Sequence, residues 1–190
     1  MTRGKGTLTV ISGPMFSNKS GELLRLATVH RIAGREVSLF KHSLDDRYQG
    51  ADAISTHGGA SMAAEPVSTS SEVSLLASGA DVVAIDEAQF FDEGLAAVAA
   101  QLVGAGVTVF VAGLDRNFKG DPFGPMPALM AIADEVMKLK AVCMRCRSLN
   151  GTMTQRLIDG RPASRHRPVI LVGAAEAYEA RCRDCHELAD

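Results

Sequence analysis

An eight-residue stretch, Gly13-Pro14-Met15-Phe16-Ser17-Asn18-Lys19-Ser20, does most to limit what this chain can fold into. Before it, Leu8 to Ile11 is a short β-branched run that reads as a buried strand. After it, Ser20 to Ile32 reads as a helix, with Leu23, Leu26 and Ala27 on one face and Gly34 as the stop. A turn between a strand and a helix collects backbone N–H groups and the positive helix end at one point, which makes an anion cradle. In the pattern G-x-x-x-x-G-K-[ST], a Lys then reaches the terminal phosphates of a nucleotide and a Ser hydroxyl ligates magnesium. The stretch meets that pattern except at Asn18, which stands where a second Gly is expected. An ordinary strand–helix turn with a surface Lys is the bland alternative.

The rest of the chain alternates in the same way. Val37 to Phe40 reads as a strand and Glu72 to Ser78 as a short helix. Val82 to Ile85 reads as a buried strand, Leu95 to Val103 as a helix and Thr108 to Ala112 as another strand. Residues 42–71 are rich in Ser, Gly and Asp without a clear period, which predicts a long loop, either functional or mobile. Such alternation predicts an α/β fold, a P-loop domain whose mostly parallel central sheet is flanked by helices. The character changes after Leu139, where two Cys pairs bracket a segment containing Gly, Arg and Pro. The expected division is a nucleotide-binding domain over 1–139 and a small zinc-stapled domain over 140–190.

Composition removes several function classes. With 46% hydrophobic residues, 22% charged residues and a net charge of -2, the chain has no general attraction for nucleic acid or an anionic membrane. The apolar run Leu8 to Ile11 is too short for a secretory signal. Residues 96–114 are the best membrane candidate, but they are mostly Ala, Gly and Val and are broken at Gly104 and Gly106. A spanning helix needs about 20 strongly apolar residues. The expected location is the cytoplasm, where four cysteines serve more readily as metal ligands than as disulfides.

Asp86 and Glu87 close an apolar strand, the place where an acid holds a nucleotide's magnesium, so Ser20 and Asp86 are the candidate magnesium ligands. Glu87, one residue on, is the candidate acceptor for the proton of an attacking hydroxyl. Taken alone, an Asp-Glu pair is most often a solvated loop. All four cysteines lie in two C-x-x-C knuckles, Cys143 with Cys146 and Cys182 with Cys185. Four thiolates in two tight turns match a closed tetrahedral zinc site, structural because no ligand position stays open. A redox reading would need two copies, and neither opens a thioredoxin-like unit. His186 could substitute as a ligand, but it adjoins Cys185 and reads more simply as a surface residue, as does His30 on its helix.

These motifs together closely resemble the type II, zinc-containing thymidine kinases. The resemblance is carried by Gly13-Pro14-Met15-Phe16-Ser17-x-Lys19-Ser20, Asp86-Glu87-Ala88-Gln89-Phe90-Phe91 and the paired C-x-x-C. Asp45-Asp46-Arg47-Tyr48, Thr56-His57, Gly113-Leu114-Asp115 and Asp121 to Pro127 agree as well, in the same order along nearly the whole chain. The resemblance implies that Glu87 is the general base acting on the thymidine 5′-hydroxyl. It implies that Gly13 to Ser20, Asp45, Arg47, Asp86 and Gln89 bind ATP and its magnesium. Met15, Phe90, Leu114, Phe118, Phe123 and Thr154 match the thymine pocket. Val169, Ile170, Leu171, Val172 and Gly173 match a lasso segment whose backbone reads the base, with Tyr178 beside it. A homotetramer, feedback inhibition by thymidine triphosphate, and no nucleic-acid or membrane partner are further expectations.

A second reading stays open from the residues themselves: a P-loop ATPase or nucleotide switch whose zinc knuckle binds nucleic acid or a protein partner. Arg145, Arg147, Arg156, Arg161, Arg165, Arg167, Arg181 and Arg183 make the C-terminal part locally basic, while the apolar run Val169 to Val172 suits a pocket better than a groove. Asn18 is the chain's own departure. The position calls for φ > 0, which Asn tolerates better than most residues, and its side chain is expected to add bulk where the backbone approaches the phosphates.

Overall fold

In the computed structural model the described residues are 5–44, 53–55, 61–170 and 177–190. Their first strands and helices follow directly from the apolar runs. β1 (Leu8–Ser12) leads through the eight-residue stretch to α1 (Lys19–Ile32), and Gly34 ends the helix at φ 74 with its N–H on the Arg31 carbonyl. β2 (Val37–His42) follows, then β3 (Ala53–Ser55), β4 (Ser61–Ala63) and β5 (Glu65–Val67). α2 (Ser70–Leu76), β6 (Val82–Asp86), α3 (Leu95–Gly104), β7 (Thr108–Gly113), α4 (Met126–Ile132) and β8 (Glu135–Lys138) complete the larger layer.

The central sheet has six strands in the order β5-β2-β6-β7-β1-β8, and each neighbouring pair is parallel. Burial on both faces explains why β1, β6 and β7 are nearly continuous apolar runs rather than alternating ones. Val10, Phe40, Val83 and Ile85 meet α2, α3 and α4 through Val73, Leu95, Ala99, Met126 and Leu129 on one face. Ile11, Leu39, Val82, Ala84 and Phe110 meet Leu23, Leu24 and Ala27 of α1 on the other. Beyond β8, β9 (Met153–Ile158) sits between β10 (Arg161–Pro162) and β11 (Ala177–Arg181) in a small antiparallel sheet. Among the described residues no helix is long and apolar enough to cross a membrane.

Several expectations need correction. Residues 42–71 are not one loop: β3 and β4 pair as a hairpin, and β5 forms the outer edge of the central sheet. Three-residue strands are too short to show a period, and Pro66 is tolerated because it lies on the edge strand. The helix expected from Glu72 begins at Ser70, because Thr69 and Glu72 form a reciprocal capping box that opens it earlier. α4, β8 and the small sheet were not anticipated at all. His30 is not simply on the surface, for its ring lies 5.3 Å from that of Phe110.

Candidate active site

The site gathers at the C-terminal ends of the parallel strands, the usual crevice of such sheets. After β1 the chain reverses twice, at Phe16 (φ 64) and Asn18 (φ 62, ψ 33). The loop closes on itself: the Ser17 hydroxyl and the Lys19 ammonium both donate to the Pro14 carbonyl at 2.8 Å. Gly13 is required at its start, since a Cβ there would lie 2.6 Å from the Leu139 carbonyl oxygen. Asn18 does adopt the left-handed backbone foreseen for it. Its side chain, however, lies back over the first turn of α1, where a Cβ on Gly21 would stand 2.2 Å from its Oδ1. The bulk expected beside the phosphates is therefore accommodated by a missing side chain on the helix.

Asp86 ends β6 and is 4% exposed. The Ser20 hydroxyl bonds to its carboxylate, so the start of α1 and the end of β6 are tied together. Burial, reinforced by the Glu87 charge, pushes Asp86 up to about 7, against the pull of Ser20, the Glu87 N–H and Lys19. Glu87 itself stands at φ 55, ψ 38, a conformation that costs a non-Gly residue about 1–2 kcal/mol and persists where surroundings enforce it. Its Oε2 accepts from Gln89 Nε2 at 2.5 Å. Gln89, 2% exposed, in turn accepts the Leu114 N–H at 2.9 Å. Gln89, expected among the nucleotide-binding residues, thus has both ends of its amide engaged by Glu87 and β7's continuation.

Apolar side chains adjoin the acids. Phe90 and Phe123 are half-buried and meet edge to face with centroids 5.8 Å apart, whereas Leu114 and Phe118 are buried. The Met15 N–H donates to Thr154 Oγ1 at 3.1 Å, which brings β9 against the 13–20 loop. Tyr178 lies opposite Arg156 in the β9–β11 register. Arg156 is a correction to the basic patch, because it is fully buried against Phe118 and Tyr178 rather than offered to a polyanion. Val169 and Ile170 are described and partly exposed. Asp45, Arg47, Tyr48, Thr56, His57, Leu171, Val172 and Gly173 lie outside the described residues.

The four cysteine sulfurs all lie within 4.8 Å of one another, with Cys146 and Cys182 at 3.7 Å. A tetrahedral zinc with Zn–S bonds of about 2.3 Å holds its sulfurs about 3.8 Å apart, so the four side chains fit that ion. Burial opposes ionisation of Cys143, but surrounding backbone N–H groups outweigh it and bring the thiol down to about 6. The hydrogen bond to Cys182 pushes Cys185 up to about 12. His186 is not a free surface group: its Nε2 lies 2.8 Å from the Phe118 carbonyl and joins the cysteine knuckle to the stretch that follows β7.

Some residues here had no warning in the sequence. His42, buried at the end of β2, takes the Leu44 N–H on Nδ1 at 3.1 Å and packs on Phe90 and Phe91 at 5.9 and 4.8 Å. Burial lowers its pKa and favours the neutral ring that this acceptor role requires. Asp115, legible in the sequence only as part of the Gly113-Leu114-Asp115 motif, pairs with Lys138 at 2.8 Å across the ends of the strands. Compared with known protein families, the chain matches the model described as thymidine kinase over residues 6–186.

Proposed function

This chain belongs to the thymidine kinase family, and we propose on that premise that it transfers the γ-phosphoryl group of ATP to the 5′-hydroxyl of thymidine, giving thymidine monophosphate. The observation that carries the reading is the juxtaposition at the C-terminal ends of β1 and β6: a self-closed loop with Lys19, the Ser20–Asp86 tie, and a Glu87 carboxylate aimed by Gln89. In phosphoryl transfer the protein supplies mainly positioning and charge. Lys19 and the loop amides would hold the phosphates, and Ser20 and Asp86 the magnesium, which neutralises charge on them. Glu87 takes the proton of the incoming hydroxyl. Thymidine sits among Met15, Phe90, Leu114, Phe118, Phe123, Thr154 and Tyr178, with the 169–173 backbone on the base edge and Asp45 and Arg47 near the phosphates.

The same reading makes residues 1–139 the P-loop, ATP-binding domain and 140–190 the zinc-binding lasso domain, with thymidine contacted by both. It gives zinc at Cys143, Cys146, Cys182 and Cys185 the role of closing the lasso at its base, which lowers the entropy cost of ordering it. A homotetramer in the cytoplasm, inhibited by thymidine triphosphate, completes it. The test is ATP turnover with and without each deoxynucleoside. Consumption of ATP only with thymidine, matched by thymidine monophosphate, is the expected result. Turnover that ignores the nucleoside would instead select the P-loop ATPase or switch.

A further inference from the structure

We propose that Arg156 is a positioning residue of the nucleoside pocket, anchoring residues 168–170 against Phe118 and Tyr178. For the ligand this rests on the kinase reading above; for the anchoring it rests on geometry alone.

Arg156 lies in the middle of β9 and is 0% exposed. A guanidinium surrenders hydration when it is buried, so an interior keeps it where its flat faces and its donors find other partners. Here the faces meet two aromatic rings and one Nη donates to a carbonyl. Its central carbon stands 4.8 Å from the Phe118 ring centre and 5.8 Å from that of Tyr178. Electron-rich aromatic faces therefore take the place of water around the cation. One Nη donates to the Pro168 carbonyl at 2.6 Å, the short distance of a charge-assisted bond.

The three partners come from three separate stretches. Phe118 follows β7 in the larger layer, Tyr178 belongs to β11, and Pro168 opens the segment leading to Val169 and Ile170. Phe118 is held from a second side by His186, next to the zinc-ligand candidate Cys185. The Arg156 carbonyl also accepts the Ala163 N–H at 3.0 Å, so backbone and side chain of one residue grip both ends of 163–168. Loosening Arg156 frees Pro168 relative to Phe118. The catalytic end is braced by other bonds, Ser17 to Pro14 and Gln89 to Glu87. A nucleoside effect separable from any ATP effect follows.

Lys keeps the charge but has neither the planar face nor the fork, and Met keeps comparable reach without charge. Arg156→Lys and Arg156→Met are therefore the two variants, the second chosen because replacing a buried charge by an apolar group of similar volume is often tolerated. Both should raise KM for thymidine, Arg156→Met by about 10²-fold, the scale of a misplacement near 1 Å. KM for ATP, zinc content and melting temperature should stay near wild type. Amide hydrogen exchange at Val169 and Ile170 should quicken in both, with or without nucleoside. Unchanged exchange overturns the anchoring, and KM values for ATP and thymidine that rise together show a merely structural residue. A wild-type protein inactive on thymidine overturns the kinase reading instead, and the exchange measurement then decides the anchoring by itself.

Discussion

Gln89 donates from Nε2 to Oε2 of Glu87 at 2.5 Å while its own Oε1 accepts the Leu114 N–H at 2.9 Å. Backbone beyond β7 thus fixes the amide, and the amide aims the carboxylate. With Glu87 as the general base, Glu87→Gln should leave ATP and thymidine binding nearly intact and lower kcat by roughly 10²–10⁴-fold. Steady-state kinetics at saturating substrates decide it, and a near-normal kcat removes Glu87 from that role.

The brace itself is testable apart from the base. Gln89→Leu leaves Glu87 present but unaimed and strands a buried Leu114 N–H, a loss of about 1–3 kcal/mol in stability. Its kcat should fall by about tenfold with KM for ATP little changed, the pattern of an interaction made mainly in the transition state. Gly113→Ala should mimic it in part, because a Cβ there would press to 2.8 Å on Gln89 Oε1. Full activity in both variants would show that Glu87 needs no aim from Gln89.

Asp86 supplies a pH dependence with a definite sign. Its folded value, about 7, lies above the ordinary carboxylate value near 3.9. The protonated form therefore contributes stability that is present in full below pH 4 and is lost as the pH rises through about 7. A magnesium nucleotide needs the carboxylate, so its binding should strengthen over the same window. Near pH 6 binding should release about one proton, and near pH 8.5 almost none, since ligating groups must be deprotonated. Calorimetry in buffers of different ionisation enthalpy reads that count directly, and equal release at both pH values would take Asp86 out of the metal's shell.

The cysteine cluster predicts one zinc per chain. Chelation, or Cys143→Ser, should loosen the small sheet and abolish thymidine binding before the larger layer unfolds, because metal binding and local folding are one free energy. His186 then lets go of the Phe118 carbonyl, so the pocket wall feels the loss. Elemental analysis showing no zinc in a fully active protein would sink this.

Legibility in the sequence followed the physics of each element. Strands buried on both faces, such as Val82–Asp86 and Thr108–Gly113, announce themselves as apolar runs, and the C-x-x-C spacing predicts a cluster that the fold assembles. β3 to β5 were hidden by their three-residue length, and β9 by a half-polar sequence whose Gln155 and Arg156 are buried through specific partners. Such partners are distant in sequence, so no local pattern encodes them. Glu87 and Asp86 were legible as a pair. The Gln89 brace was not, because it depends on Leu114 being the neighbour of a turn across the sheet.

Asn18 and Gly21 form the last and most chain-specific relation. Asn18 holds φ 62, ψ 33, a backbone that costs most residues about 1–2 kcal/mol and Asn less. Its side chain needs the space that Gly21 leaves empty, for a Cβ there would meet Oδ1 at 2.2 Å and Nδ2 at 2.7 Å. Gly inside a helix is itself unfavourable by roughly 0.5–1 kcal/mol against Ala, so Gly21 is tolerated for what it makes room for. Asn18→Gly alone should therefore change kcat/KM for ATP by only a few-fold, at most ~1.4 kcal/mol. Gly21→Ala alone should be damaging, since overpacking costs about 1–3 kcal/mol and here displaces the loop residue before Lys19. Combined with Asn18→Gly, the same Ala should be harmless or stabilising, because the clash is gone and helix propensity improves. The double-mutant cycle in kcat/KM for ATP and in melting temperature should show a coupling of about 1–3 kcal/mol. Simple additivity would mean that the Asn18 side chain moves aside freely and that Gly21 is not its partner.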